Sequence, residues 1–156
     1  SCAMYWIITS LRPFIFPKAI RMAVVITGTY SGELKMLLEH ESSGAQLRTA
    51  APRDNLGDGS SFSPTDLVAA ALGSCMVTTM AIIARREDIP FESASFRVEK
   101  HMRSDPRRID RLPITIVMPS GLDDAQRQRL EHIARTCPVD RSLFPDIQRE
   151  VSFEYP

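Results

Sequence analysis

Two cysteines in contrasting settings are the residues of this sequence best suited to chemistry. Cys75 sits inside an uncharged, alanine-rich stretch, LVAAALGSCMVTTMAIIA, and Cys137 directly precedes a proline in TCPVDRSL. A cysteine in an alanine-rich helix is commonly a small buried hydrophobe, and that is the plain reading of Cys75 in isolation. Cys137 stands just past a helix end, where the following proline keeps the backbone extended, so a fold can bring it up to the first thiol. Two thiols within reach support redox chemistry. A thiolate attacks a peroxide oxygen, becomes a sulfenic acid, and condenses with a second cysteine into a disulfide. The attacking thiol must first ionise, which burial opposes and a neighbouring cation favours. Cys75 lies eleven residues after Pro64, well past the first turn over which a helix dipole acts. An arginine must therefore come from elsewhere in the fold.

Other chemistries find less support. Three cysteines in 156 residues, at positions 2, 75 and 137, are too few for a secreted disulfide framework and predict a reducing, cytoplasmic setting. No CxxC or paired His/Cys ligand set is present, so a structural metal site such as zinc is not expected. His40, His101 and His132 are scattered, with no metalloprotease spacing. A Cys75–His101 nucleophile pair stays open as an arrangement. Gly57-Asp58-Gly59 lacks the third glycine of a dinucleotide loop and reads as a turn. The arginine-rich stretch 103–111 contains Asp105 and Asp110 and no aromatic residue, the composition of a solvated loop. With 19 basic and 19 acidic residues the net charge is zero, so no field draws in nucleic acid or a membrane surface.

That neutrality hides an asymmetry. Residues 1–21 carry Arg12, Lys18 and Arg21 and no acid, whereas the remainder holds 16 basic and 19 acidic residues. The charges of this first segment follow or interrupt its apolar residues, contrary to a signal peptide. With Arg12 and Pro13 inside it, the run from Tyr5 to Phe16 is too short and too broken to span a bilayer. Residues 1–21 are expected to be an N-terminal extension, and 22–156 a single domain.

The elements that must position the cysteines follow from patterning. Residues 22–49 predict three strands: β-branched Val24 to Thr27, the run Leu34 to Leu38, and a third strand reached through Ser42-Ser43-Gly44. Residues 51–61 are a loop. Ser63-Pro64-Thr65-Asp66 is a helix start, with Ser63 as N-cap, Pro64 at the first helical position and Asp66 as the capping-box acid. Leu67–Ala84 is 18 residues without a charge, at the threshold for a membrane span. Its first half is small-sided and only weakly hydrophobic, which predicts a soluble core helix buried on every side. Strands follow over 93–102 and 112–118, then an amphipathic helix over 122–135 and a closing strand over 147–155. The order β-β-β-α-β-β-α-β makes an α+β domain.

The blocks SFSPTDLVAAALGSCM at 61–76 and TCPVDRSL at 136–143 resemble the OsmC/Ohr family: the first its Pro-x-x-Leu-x-x-Ala-Ala-x-x-x-Cys signature, the second its Cys-Pro motif. The DNLGDG loop and the EKHMRSDPRRI hairpin extend the resemblance over nearly all of 22–156. The resemblance implies an OsmC-like fold in an intertwined homodimer, with central buried helices and two sites at the interface. It further implies reduction of organic hydroperoxides, and less efficiently hydrogen peroxide. Cys75 would be the peroxidatic cysteine and Cys137 the resolving one, recycled by a dithiol reductant without a bound cofactor. Two features depart from the pattern. The family's hydroperoxide reductases hold the thiolate with an arginine of the first hairpin, fixed by a glutamate after the motif proline. Here Ser31-Gly32-Glu33-Leu34 supplies no arginine and Thr65 replaces the glutamate. Asp66 lies nine residues before Cys75, on the opposite helix face. Arg53, or Arg48, is the expected cation. If neither serves, the alternative is a dimeric protein without peroxidase activity that binds an apolar small molecule in its interfacial cleft. A third alternative is an acyl- or thiol-transfer enzyme that uses Cys75 alone.

Overall fold

The computed structural model describes residues 23–156. The expected extension at 1–21, with Cys2, lies outside the described residues. The β-branched run after Val24 forms strand β1 (Ile26–Gly32), which pairs antiparallel with β2 (Lys35–His40), itself paired with β3 (Ala45–Ala50). The register places Ile26, Tyr30, Met36, Leu38 and Leu47 on one face, opposite Thr27, Thr29, Lys35, Glu39 and Arg48. The apolar face is largely uncovered by the chain itself: Ile26 is 66% and Tyr30 61% exposed.

A loop with a 3-10 turn at Arg53–Asn55 leads to helix α1 (Pro64–Arg86). Lys35 pairs with Asp58 at 2.7 Å and Ser61 Oγ donates to the Arg48 carbonyl, so the loop ties the sheet to the helix start. Gly57 makes the loop's tightest approach: its N–H donates to the Pro52 carbonyl, and a Cβ there would stand 1.8 Å from the Ala51 oxygen.

The capping box forms as expected, with Ser63 Oγ accepting from the Asp66 N–H and Asp66 accepting from the Ser63 N–H. By length and composition alone α1 could cross a membrane, but it packs as a core helix. Leu72, Met76 and Met80 are fully buried against Leu112, Ile114, Ile116 and Leu130, each worth roughly 1.5–3 kcal/mol relative to exposure. One stripe, through Ser74, Thr78 and Ile82, remains exposed.

Beyond α1 the structure is finer-grained than the sequence pattern. The strand expected over 93–102 is two, β4 (Ser95–Val98) and β5 (His101–Ser104), divided at Glu99-Lys100. The expected charged loop after it carries β6 (Arg107–Arg111), paired with β5 in a two-stranded ribbon. The ribbon turns only Met102 and Ile109 toward the core, which leaves its polar composition looking like a loop. Pro113 has no N–H to continue the ladder and separates β6 from β7 (Ile114–Val117). β7 lies between β4, antiparallel, and β8 (Val151–Glu154), parallel. The crossover between β7 and β8 contains α2 (Asp124–Ala134) and a short helix absent from the expected order, α3 (Pro138–Ser142). The proline that ends α2 also suits the first position of a helix.

Because the Gly57 contact is with backbone, Gly57→Ala is expected to destabilise the chain by about 1–3 kcal/mol. Chemical denaturation checks this, and an unchanged midpoint would contradict the close approach.

Candidate active site

Cys75 lies in the middle of α1, half-buried, and faces the junction of α2 and α3. Cys137 occupies that junction. It is the N-cap of α3 and 0% exposed, and its Sγ accepts the Asp140 N–H at 3.4 Å. The two thiols are neighbours. Burial pushes the Cys137 thiol up to about 11, helped by the Cys75 sulfur beside it and opposed by the Asp140 N–H. Cys137 is therefore an S–H at neutral pH, able to donate to the more accessible Cys75 sulfur.

The junction is held from outside. Arg149 Nε pairs with Asp140 at 2.8 Å, while Arg149 Nη1 donates to the carbonyls of Phe144 and Ile147. One arginine thus fixes both α3 and the segment leading to β8. On the Cys75 side, Thr79 follows one turn later, its Oγ1 3.9 Å from Cys75 Sγ.

Arg53 lies in the loop before α1, where its Nε donates to the Asp58 carbonyl at 3.1 Å. It forms no ion pair among the described residues, and neither does Arg48, on β3. Neither is among the groups acting on Cys137. His101 pairs with Glu99 at 3.1 Å, away from either thiol's partners. Among the described residues no cluster of His, Cys, Asp or Glu could hold a metal.

Lys100, between β4 and β5, was not singled out as a site residue from the sequence. Its Nζ reaches Asp66 at 2.5 Å, Thr65 Oγ1 at 2.9 Å and Ser63 Oγ at 3.2 Å. Thr65, at the position expected to carry a glutamate, here accepts from an ammonium. Burial alone would push the Asp66 carboxyl up, but Lys100 and the Ser63 N–H outweigh it and hold it below its ordinary value. The cluster closes the helix start. It lies on the Asp66 face, and nine residues at 100° each put Cys75 on the other.

The elevated Cys137 value couples to stability. The unfolded chain ionises this thiol near 9 and the folded chain near 11, so its contribution is intact below about pH 9 and is lost as pH rises through about 11. Under reducing conditions, the difference in unfolding free energy between the unsubstituted chain and Cys137→Ala is expected to shrink by about 2 kcal/mol from neutral pH to about pH 11. A pH-independent difference would contradict the burial of this thiol.

Comparison with known proteins places this arrangement. The sequence pattern described as "OsmC-like protein" matches residues 57–152. No curated protein matches the chain. Among solved structures, a Psychrobacter arcticus protein bearing a provisional name, osmotic stress induced and detoxification response protein, is 38% identical. It aligns over 87% of this chain and 99% of its own, with a TM-score of 0.81. An organic hydroperoxide resistance protein of Legionella pneumophila shares 19% identity over 86% of this chain and 98% of its own, TM-score 0.70. A Bacillus subtilis protein of the same description shares 14% over 85% and 98%, TM-score 0.62. The last two show a common fold alone. The matched pattern spans the cysteine helix, the junction and the sheet between them, and the chain belongs to the OsmC-like protein family.

Proposed function

We propose that this chain is a thiol-dependent peroxidase that reduces organic hydroperoxides, and hydrogen peroxide less well, in the cytoplasm as a defence against oxidative stress. The observation that carries the reading is the asymmetric thiol pair: an accessible Cys75 beside a fully buried, protonated Cys137. The Cys75 thiolate attacks the terminal oxygen of the hydroperoxide. The O–O bond breaks, the alkoxide takes a proton to leave as an alcohol, and Cys75 becomes a sulfenic acid. The Cys137 sulfur then attacks the sulfenic sulfur, expelling water and forming a Cys75–Cys137 disulfide. A dithiol reductant returns both thiols and leaves as its own disulfide. No bound cofactor is needed, because the peroxide takes two electrons from the thiol pair and the dithiol returns them. The names of the Legionella and Bacillus structures point to the same substrate class.

Arg53 enters this proposal as the activating cation, delivered across the interface of a homodimer, since its terminal nitrogens carry no ion pair among the described residues. The dimer is supported by two uncovered surfaces, the apolar Ile26/Tyr30/Leu47 face of the sheet and the uncharged Ser74/Thr78/Ile82 stripe of α1. A second copy would bury both.

Cumene hydroperoxide is expected to be consumed with a disulfide between Cys75 and Cys137 identified by mass spectrometry. Cys75→Ser should abolish turnover, Cys137→Ser should stall the enzyme as the sulfenic acid, and Arg53→Gln should slow it at least about tenfold. An unoxidised Cys75 would sink the reading in favour of a non-peroxidase protein that binds an apolar molecule in its interfacial cleft. Turnover that survives Cys137→Ser would favour a Cys75-only transfer enzyme. Separately, light scattering on the eluted protein is expected to give twice the chain mass, and a monomer would remove Arg53 from the site.

A further inference from the structure

We propose that Thr79 is a positioning residue for the reactive thiol, its hydroxyl donating to Cys75 Sγ and so favouring the thiolate that attacks substrate. The inference deepens the peroxidase reading and rests on it for the identity of the nucleophile.

Three other hydroxyls on or just after helices donate to the carbonyl four residues back: Ser74 to Ala70 at 2.8 Å, Thr136 to His132 at 3.1 Å and Ser142 to Pro138 at 2.8 Å. This is the default for Ser and Thr inside a helix. Thr78, which is exposed, and Thr79 make no such bond, and Thr79 turns to a sulfur instead. Its hydroxyl has one partner among the described residues, the Cys75 sulfur at 3.9 Å. The i, i+4 spacing stacks the two side chains on one helix face. While Cys75 is a thiol either atom can donate; once it is a thiolate only the hydroxyl can. The contact therefore strengthens on ionisation, and catalytic hydrogen bonds in a resting enzyme are often long and tighten later.

Several charged groups on the elements packed around α1 are engaged elsewhere, and Asp124 of α2, Arg141 of α3 and Glu154 of β8 are exposed. Asp140 of α3 is paired with Arg149, Arg129 of α2 with Glu87, and Arg97 of β4 with Glu99, which also holds His101. Glu131 of α2 takes the Tyr155 hydroxyl, Arg127 lies over the Tyr155 ring, and His132 is exposed. Among the described residues of one chain, the polar groups beside the Cys75 sulfur are thus the Thr79 hydroxyl and the Cys137 thiol. They approach it from opposite partners: one along the helix, one across the junction.

The test is the rate of iodoacetamide addition at Cys75 as a function of pH, read by peptide mass spectrometry on the reduced full-length protein, with cumene hydroperoxide consumption measured in parallel. Thr79→Val keeps the side-chain shape and removes the donor. It should react about fivefold more slowly at pH 7, with the profile displaced to higher pH and the high-pH limiting rate retained. Thr79→Ser should restore the profile to within about twofold, and Thr79→Ala gives the same reading as valine should the latter fold poorly. A Thr79→Val profile that superimposes on the unsubstituted protein overturns the inference, as does a slowing that is uniform at every pH. A displaced profile in a protein that consumes no hydroperoxide leaves the Thr79 contact standing and removes the peroxidase reading instead.

Discussion

Helix α1 carries no charged side chain between Asp66 and Arg85, so none of its faces is well solvated, and everything around it can be understood as covering one face or another. The sheet β4-β7-β8 and α2 take the Leu72/Met76/Met80 side. Phe96 packs against the helix at Gly73, where a Cβ would fall 2.3 Å from its ring. The α2–α3 junction takes the face that bears Cys75. What is left, the Ser74/Thr78/Ile82 stripe, is uncharged and open. A helix of this composition sets a requirement that one chain meets only in part, and the exposed apolar face of β1–β3 is a second surface with the same need.

The same requirement shapes the chemistry. A helix that must be buried places its cysteine against packed neighbours, and burial opposes ionisation of the Cys137 thiol packed on it. The molecule separates the two thiols by depth. Cys137, sealed at the N-cap of α3, is pushed far above its ordinary range, while Cys75 keeps a path to solvent. Arg149, by neutralising Asp140, keeps an acid next to the buried thiol from standing unpaired. Nothing in that arrangement requires a metal or a prosthetic group, because a thiol pair exchanges two electrons through its own covalent bonds.

Some elements were plain in the sequence. Ser63-Pro64-Thr65-Asp66 specified a helix start because capping is a local exchange of hydrogen bonds within four residues, and the three N-terminal strands were marked by one β-branched run, one apolar run and their turn residues. The β5–β6 ribbon was not. Only two of its nine residues point to the core, and its charged pairs, such as Arg103 with Asp110, form across strands rather than along them. α3 was hidden as well. Pro138 signals the end of α2 and the start of the next helix with the same chemistry, and five residues give no periodicity to read. Lys100 and Thr79 were visible as positions, one in phase with an inward face and the other four residues after a cysteine. Their partners were not visible.

Residue type, spacing and capping were enough to name the cysteine helix, the α+β class and the two thiols, because each depends on interactions between residues a few positions apart or on composition. That Cys75 and Cys137 meet, and that one is sealed and the other open, depend on how the crossover through α2 folds back on α1, whereas Lys100 reaches a helix start some thirty-five residues away because β4 packs beside that helix. Burial and neighbouring charge set a thiol's reactivity, and both are properties of the surrounding volume. A linear sequence carries the groups, and the packed chain assigns each one its surroundings.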